Sequence, residues 1–122
     1  MPTTRDIGFA AEQEACEFLK AHGLMFIAQN YQCKMGEIDL IMKDKDALVF
    51  VEVRKRSQAD FGSGAETITR HKQRCIIKTA LFYLLETQQY DACPMRIDVI
   101  DICLRENNNH VEWLKNAILE KW

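Results

Sequence analysis

The sequence predicts one α/β domain with its elements in the order α-β-β-β-α-β-β. Two short segments, 36–41 and 49–54, alternate polar and aliphatic residues at period two, which is typical of strands with one buried face. Apolar residues at helical spacing predict one helix before these segments, near the N-terminus, and a second helix after them that ends at about residue 86. At 122 residues the chain is long enough to bury its own core, so we expect residues 1–122 to form a single domain.

The first helix is expected to begin at Thr3 or Thr4, because a threonine hydroxyl can cap the first backbone N–H groups. Apolar residues then recur at helical spacing to about Ala21, and His22-Gly23 is typical of a helix end. A strand is expected over 24–28. It leads into the two alternating segments.

Those two segments predict a β-hairpin with a two-residue loop at Lys45-Asp46. In that register Asp39 lies opposite Glu52 and Glu37 lies opposite Arg54, so all four point from one face. The aliphatic residues between them then share the other face: Ile38, Leu40, Val51 and Val53. Two carboxylates side by side repel each other, so a positive partner is expected, and a divalent metal is the leading candidate.

The second half of the chain continues the α/β pattern. A glycine-containing loop is expected over 57–64, then a helix from Glu66 or Ile68 to about Glu86 with a basic first half and an apolar second half. A strand over 95–102 contains Asp98, which is either an inward acid or an edge-strand charge. A turn is expected at 107–109 and a last strand over 110–114.

Composition argues against several classes of protein. The five cysteines are odd in number and lack C-x-x-C spacing, which favours reduced thiols over a disulfide or zinc scaffold. No apolar run approaches the roughly 18 residues of a membrane span, and the first residues lack a signal-peptide core. We therefore expect a cytoplasmic protein without membrane contact.

Charge is unevenly distributed along the chain. Residues 52–78 carry seven basic and three acidic side chains, whereas the segments before and after are each net negative. A basic segment directly after the carboxylate pair could hold a phosphate backbone beside bound metal. The alternative is that the basic residues only form the solvated face of a helix.

The hairpin carries Asp39, Glu52 and Arg54 in the pattern D-x12-E-x-R. Carboxylates are the oxygen ligands that Mg²⁺ and Mn²⁺ prefer, and a nearby cation can stabilise charge in a phosphodiester transition state. The same spacing also fits a solvent-facing ladder of salt bridges, with Glu37 bound to Arg54. Spacing alone leaves both interpretations open.

Several motifs in the right order make the chain resemble the YraN family of bacterial proteins. GEIDLI and FVEV are the specific ones, and the matching segments are 5–12, 30–41, 50–56, 61–62, 72–74 and 96–99. The resemblance implies a restriction-endonuclease-like core, a central mixed sheet flanked by helices, similar to archaeal Holliday-junction resolvases. Since such resolvases are often dimers, a homodimer is one alternative.

By the motif of that superfamily, Asp39 and Glu52 are implied metal ligands and Glu12 is an additional acid, with Mg²⁺ or Mn²⁺ as the cofactor. Position 54 is the implied catalytic cation. DNA is the implied partner, and Gln73 or Lys72 is implied to lie near the site. The resemblance and the basic segment 52–78 together give the residues expected to bind nucleic acid: Arg56, Arg70, Lys72, Gln73 and Arg74.

One departure affects the expected activity. The family normally has lysine where this chain has Arg54, and arginine stays charged and cannot serve as a general base. The resemblance implies a metal-dependent endonuclease acting on DNA, including branched or damaged structures. The alternative is a non-catalytic nucleic-acid-binding or protein-interaction module in which Arg54 pairs with the acids and cleavage is weakened or lost.

Overall fold

The computed structural model describes residues 3–57 and 68–118, with the side chains of residues 4–6 and 57 left undescribed. Two helices and five strands follow one another in the predicted order α-β-β-β-α-β-β, which confirms that prediction. They are α1 (Thr4–Ala21), β1 (Met25–Cys33), β2 (Gly36–Asp44), β3 (Ala47–Ser57), α2 (Arg70–Glu86), β4 (Met95–Arg105) and β5 (Asn108–Leu114).

The five strands form one mixed sheet in the order β1-β2-β3-β4-β5. Every neighbouring pair is antiparallel except β3 and β4, which run parallel. A parallel pair needs a crossover connection, and α2 lies in the chain between these two strands. The mixed sheet flanked by helices is therefore confirmed.

Two buried clusters form the core, one with each helix. Ala11, Ala15 and Leu19 of α1 pack with one set of strand residues: Leu40, Met42, Val49, Val51, Ile100 and Ile102. Ile76, Ala80 and Leu84 of α2 pack with the other set: Ile38, Ile41, Leu48, Phe50, Ile97 and Val99. The apolar second half of α2 thus packs on the sheet as expected, while its first half carries the basic residues.

Several bounds differ from the predictions. Helix α2 begins at Arg70 because Thr69 is its N-cap and accepts a hydrogen bond from the Lys72 backbone amide at 3.1 Å. Most of the predicted loop over 57–64 and the alternative helix start at Glu66 lie outside the described residues. β1 extends to Cys33, well beyond the predicted end at residue 28.

The predicted turn at 107–109 and the strand start at 110 are wrong. The turn lies at Glu106 and Asn107, both with positive φ, and β5 begins at Asn108. Two consecutive residues in the left-handed region give a tight turn whose twist matches that of the flanking strands. Glutamate is not a usual residue for that conformation, which explains why the pattern placed the turn later.

The alternation of β2 changes at Asp39. Ile38 packs in the cluster with α2 whereas Leu40 packs in the cluster with α1, so the prediction that they share a face is wrong. On the neighbouring strand Asn30 has φ 53°, and it lies between the paired residues Gln29 (with Leu40) and Tyr31 (with Ile38). The left-handed residue on β1 and the change of face on β2 therefore coincide at one irregularity of the sheet.

Across the described residues, neither helix is both long and apolar enough to serve as a transmembrane span.

Candidate active site

The candidate site lies where β2 stops pairing with β3. The predicted two-residue loop at Lys45-Asp46 is present, and the ladder runs from Asp44–Ala47 to Leu40–Val51. Beyond that point Asp39 Oδ2 accepts a hydrogen bond from the backbone amide of Val53 at 2.8 Å. The Asp39 side chain thus accepts a hydrogen bond from a backbone amide of β3 at the end of the ladder, and the two strands separate at this residue.

Asp39 and Glu52 meet at this separation, close enough for each carboxyl to change the pKa of the other. Burial, followed by the charge of Asp39, raises the pKa of Glu52 to about 7. Burial also raises the pKa of Asp39, although the Val53 amide and Glu52 oppose that rise. Because both pKa values are raised, a proton on one of the two groups is favoured when no cation is bound between them.

Glu12 extends this pair from the first helix. Burial, followed by the charge of the nearby Asp39, raises the pKa of Glu12 to about 7. With its amide nitrogen facing the acids, Asn30 donates to Glu12 Oε1 and to Glu37 Oε1, each at 3.1 Å. Asn30 was not singled out from the sequence, because its role depends on its left-handed backbone conformation at the irregularity of β1.

Glu37 lies elsewhere than predicted. No pairing of Glu37 with Arg54 occurs in the ladder between β2 and β3, because the strands have already separated. Glu37 contacts Asn30 instead. The prediction of a cross-strand Glu37–Arg54 pair is therefore wrong, and so is the alternative of a salt-bridge ladder built on it.

Three basic residues, Arg54, Lys55 and Lys72, line the same cavity as the acids. Lys72 Nζ lies 3.3 Å from Glu52 Oε1, and its side chain remains 56% exposed. The Nε of Arg54 is buried and has no hydrogen-bond partner in the described part of the chain. A buried donor without a partner is costly for the fold.

The remaining residues predicted to bind nucleic acid are placed differently from one another. Arg70 and Arg74 are exposed on the first half of α2. Gln73 Nε2 donates a hydrogen bond to the Ile68 carbonyl at 2.9 Å, so its side-chain amide binds the backbone just before its own helix. Arg56 is buried and donates to both carboxylate oxygens of Asp101, at 2.9 and 2.6 Å. Its burial does not support a role in contacting nucleic acid.

Asp98 is an inward acid, which resolves the alternative left open by the sequence. It is fully buried and accepts hydrogen bonds from Arg96, from Trp113 Nε1 at 2.8 Å and from the Asn116 amide at 2.8 Å. These contacts join β4 to the end of β5 and the residues after it. Asp98 is therefore a structural residue and lies outside the cavity of the carboxylates.

The carboxylate cavity has a volume of about 240 Å³. Glu12, Asp39, Glu52, Arg54 and Lys72 line it together with Gly8, Ala11, Val53 and Lys55. This is room for a phosphate group and a few water molecules. Acidic and basic side chains face the same small space, which is the arrangement required to bind a cation and an anion together.

Within residues 3–57 and 68–118, no three histidine, cysteine, aspartate or glutamate side chains are arranged around a common metal position. The three carboxyls form a chain in which Asp39 is the middle member. The donor set nevertheless fits Mg²⁺, because this ion is usually held by one or two carboxylates and completes its shell with water and phosphate oxygens.

The fold defines a small α/β protein with a mixed sheet. Its site is a partly buried carboxylate pair with neighbouring cations, at the point where strands β2 and β3 separate. Residues 11–102 match the model of the family described as uncharacterised protein family UPF0102. The chain belongs to the UPF0102 family, which confirms the YraN-like resemblance.

Similar proteins extend over nearly the whole chain. A UPF0102 protein of Legionella pneumophila is 46% identical over 114 residues, covering 93% of this chain and 95% of its own. One of Coxiella burnetii is 46% identical over 115 residues, covering 94% and 93%. One of Aliivibrio fischeri is 44% identical over 110 residues, covering 89% and 88%. The carboxylates and the basic residues of the site lie inside the segment that matches the family model.

Proposed function

We propose that this protein is a metal-dependent nuclease that hydrolyses phosphodiester bonds of DNA. The observation that carries the proposal is that three carboxyls, those of Glu12, Asp39 and Glu52, line one cavity together with Arg54 and Lys72. Buried acids with raised pKa values beside cations are typical of functional sites, because such an arrangement is costly for the fold alone.

Asp39 and Glu52 would hold a Mg²⁺ or Mn²⁺ ion between them. A divalent cation there would polarise the phosphate and lower the pKa of a water molecule. Both carboxyls must be ionised to bind it, so binding releases a proton held by either of them. The Val53 amide holds one oxygen of Asp39 in a fixed direction.

Arg54 and Lys72, which line the same cavity as the acids, would bind the scissile phosphate. Arg54 lines the cavity, and its planar guanidinium can grip two phosphate oxygens. Lys72 is exposed enough to exchange its contact with Glu52 for a phosphate oxygen. Arg70 and Arg74 lie on the same half of α2, where they would extend the phosphate contacts along the DNA.

The test is cleavage of nicked, flap and four-way-junction DNA by purified protein with Mg²⁺ or Mn²⁺. We expect Asp39→Asn and Glu52→Gln to abolish cleavage, whereas Glu112→Gln, at an exposed position of β5, leaves it unchanged. If both site variants cut as well as the unaltered protein, the activity does not belong to this site and the proposal is wrong.

A second candidate is a module on the same fold that binds nucleic acid without cleaving it. Two points favour it: Arg54 stands where the resemblance implies lysine, and the pKa values of Asp39 and Glu52 are raised, which opposes metal binding. That protein would bind DNA in EDTA with a strong dependence on salt, and Asp39→Asn would leave the affinity unchanged or increase it. No metal-dependent cleavage would then be found.

A further inference from the structure

A second and larger groove adjoins the carboxylate cavity. It has a volume of about 570 Å³ and is lined by Gly8, Phe9 and Glu12 of α1 and by Asn30, Gln32 and Glu37 of β1 and β2. Gly8 and Glu12 line both spaces, so the groove and the cavity meet at these two residues. We call this space the α1–β1 groove.

The chemistry of the groove differs from that of the cavity. Its described lining contains two carboxylates and two amides but no lysine or arginine, so it repels phosphate. Carboxylate and amide oxygens accept hydrogen bonds from exocyclic amino and ring N–H groups, which nucleobases carry on their pairing edges. The groove is therefore suited to a neutral ligand that is rich in hydrogen-bond donors.

Phe9 supplies an aromatic surface at this place. Its side chain is 52% exposed and belongs to neither core cluster. Ile7, on the same helix, is also exposed, whereas Ala11, Ala15 and Leu19 are buried. An exposed aromatic ring beside hydrogen-bond acceptors is the arrangement with which proteins stack and hold single bases. Burial in the fold does not account for a phenylalanine at this position.

We propose that the α1–β1 groove binds one unpaired nucleobase of the DNA strand whose phosphate occupies the carboxylate cavity. The base stacks on Phe9 and donates hydrogen bonds to Glu37 and Gln32, while the adjoining phosphate lies toward Arg54 and Lys72. This deepens the proposed function by naming the substrate class. It rests on that function for the position of the phosphate.

The proposal has a direct consequence for substrate choice. A base inside a duplex is stacked and paired, and extracting it costs several kcal/mol, whereas an unpaired base at a flap, gap or junction enters without that cost. The protein should therefore favour DNA that has an unpaired nucleotide next to the bound phosphate. Fully paired DNA should bind through its phosphates alone.

The test compares affinities by fluorescence anisotropy in EDTA, so that no metal or cleavage is needed. The two probes are a fully paired duplex and the same duplex with one unpaired nucleotide. Phe9→Ala should weaken binding of the second probe by about fivefold to a hundredfold, which is the usual effect of losing one base–aromatic stack, and leave the first unchanged. Phe9→Trp should retain the preference.

Gly8→Leu is an independent variant that should not harm the fold. A Cβ at Gly8 meets no atom within 4 Å, and replacing a helical glycine by leucine favours the helix. The new side chain would lie where groove and cavity meet, so we expect the same loss of preference as in Phe9→Ala. Phe82→Ala is the control, because Phe82 is an exposed phenylalanine on the other helix.

The proposal is overturned if Phe9→Ala behaves like Phe82→Ala, if Gly8→Leu keeps the preference, or if the unaltered protein binds both probes equally or not at all. It is also overturned if sedimentation shows that Phe9→Ala turns a dimer into monomers, because Phe9 is then covered by a second copy. Failure of the nuclease function is a separate result. If the protein never cleaves DNA but its preference for the unpaired probe depends on Phe9, the nuclease proposal is wrong and the groove proposal stands.

Discussion

Asp39 accepts the backbone N–H of Val53 at the point where β2 leaves β3, and this contact joins the candidate metal ligand to the sheet. The hydrogen bond fixes one carboxylate oxygen without using another side chain. The same aspartate contacts Glu12 and Glu52. One residue thus ends the ladder, orients the site and links the acids of α1 and β3.

The first prediction separates these roles of Asp39. Asp39→Asn keeps a side-chain oxygen for the Val53 amide but removes the charge, so we expect stability to be unchanged or higher and Mn²⁺ binding to be lost. Asp39→Ala also leaves the Val53 amide without its partner, which costs about 1–3 kcal/mol if no water replaces it. Thermal unfolding and titration calorimetry with Mn²⁺ measure the two effects. Unchanged Mn²⁺ heat in Asp39→Asn would contradict the metal site.

The second prediction concerns pH. Glu52 keeps its proton in the folded state up to a pKa of about 7 but loses it near 4.5 when unfolded. The folded state therefore binds more protons between these values. The contribution of Glu52 to the free energy of unfolding is fully present below pH 4.5. It decreases by on the order of 2–3 kcal/mol as the pH rises toward 7. Glu12 and Asp39 act in the same direction, because their pKa values are also raised.

Urea unfolding at pH 5 and pH 8 in EDTA measures this dependence. We expect Glu52→Gln to be more stable than the unaltered protein at pH 8 and to show a weaker loss of stability with pH. Glu112→Gln, at an exposed site, should follow the unaltered protein. If Glu52→Gln and the unaltered protein lose stability equally, burial does not hold the proton on Glu52.

The third prediction concerns Arg54. Arg54→Met removes a buried donor that has no described partner, so the folded protein should gain stability or lose none. It should also weaken DNA binding in EDTA, because one phosphate contact is lost, and Lys43→Met at an exposed site of β2 should not. Arg54→Lys should increase metal-dependent cleavage if the arginine limits it. Equal cleavage by both proteins would show that position 54 does not limit the reaction.

The fourth prediction concerns the buried ion pair of Arg56 and Asp101. Arg56→Met leaves a buried carboxylate without its partner and should destabilise the protein by about 3–5 kcal/mol. Arg56→Met combined with Asp101→Leu should recover most of that stability, since an apolar pair replaces the charged one. DNA affinity of the double variant should equal that of the unaltered protein, whereas Lys72→Met should weaken binding and lower its salt dependence. A loss of DNA affinity in the double variant would show that Arg56 does contact nucleic acid.

Much of the architecture was predictable because it depends on short-range patterns. Period-two alternation and a two-residue turn determine the β2–β3 register, and that register places Asp39 beside Glu52. The change of face at Asp39 was not predictable, because it requires a left-handed residue on the neighbouring strand and a hydrogen bond from side chain to backbone. Charge patterning could not distinguish Arg56 from Arg70, because the partner of Arg56 lies 45 residues away on a parallel strand.

The end of the β2–β3 ladder has a consequence for folding kinetics. Pairing can start at the two-residue turn and proceed to Leu40–Val51, and hairpins of this kind form within about 1–10 μs. Asp39 and Glu52 come immediately after that last pair, so their repulsion does not oppose nucleation and acts only on extension. The parallel β3–β4 pair, by contrast, must wait for α2 to cross over. We therefore expect the acidic site to be completed late in folding, after the strands that carry it have paired.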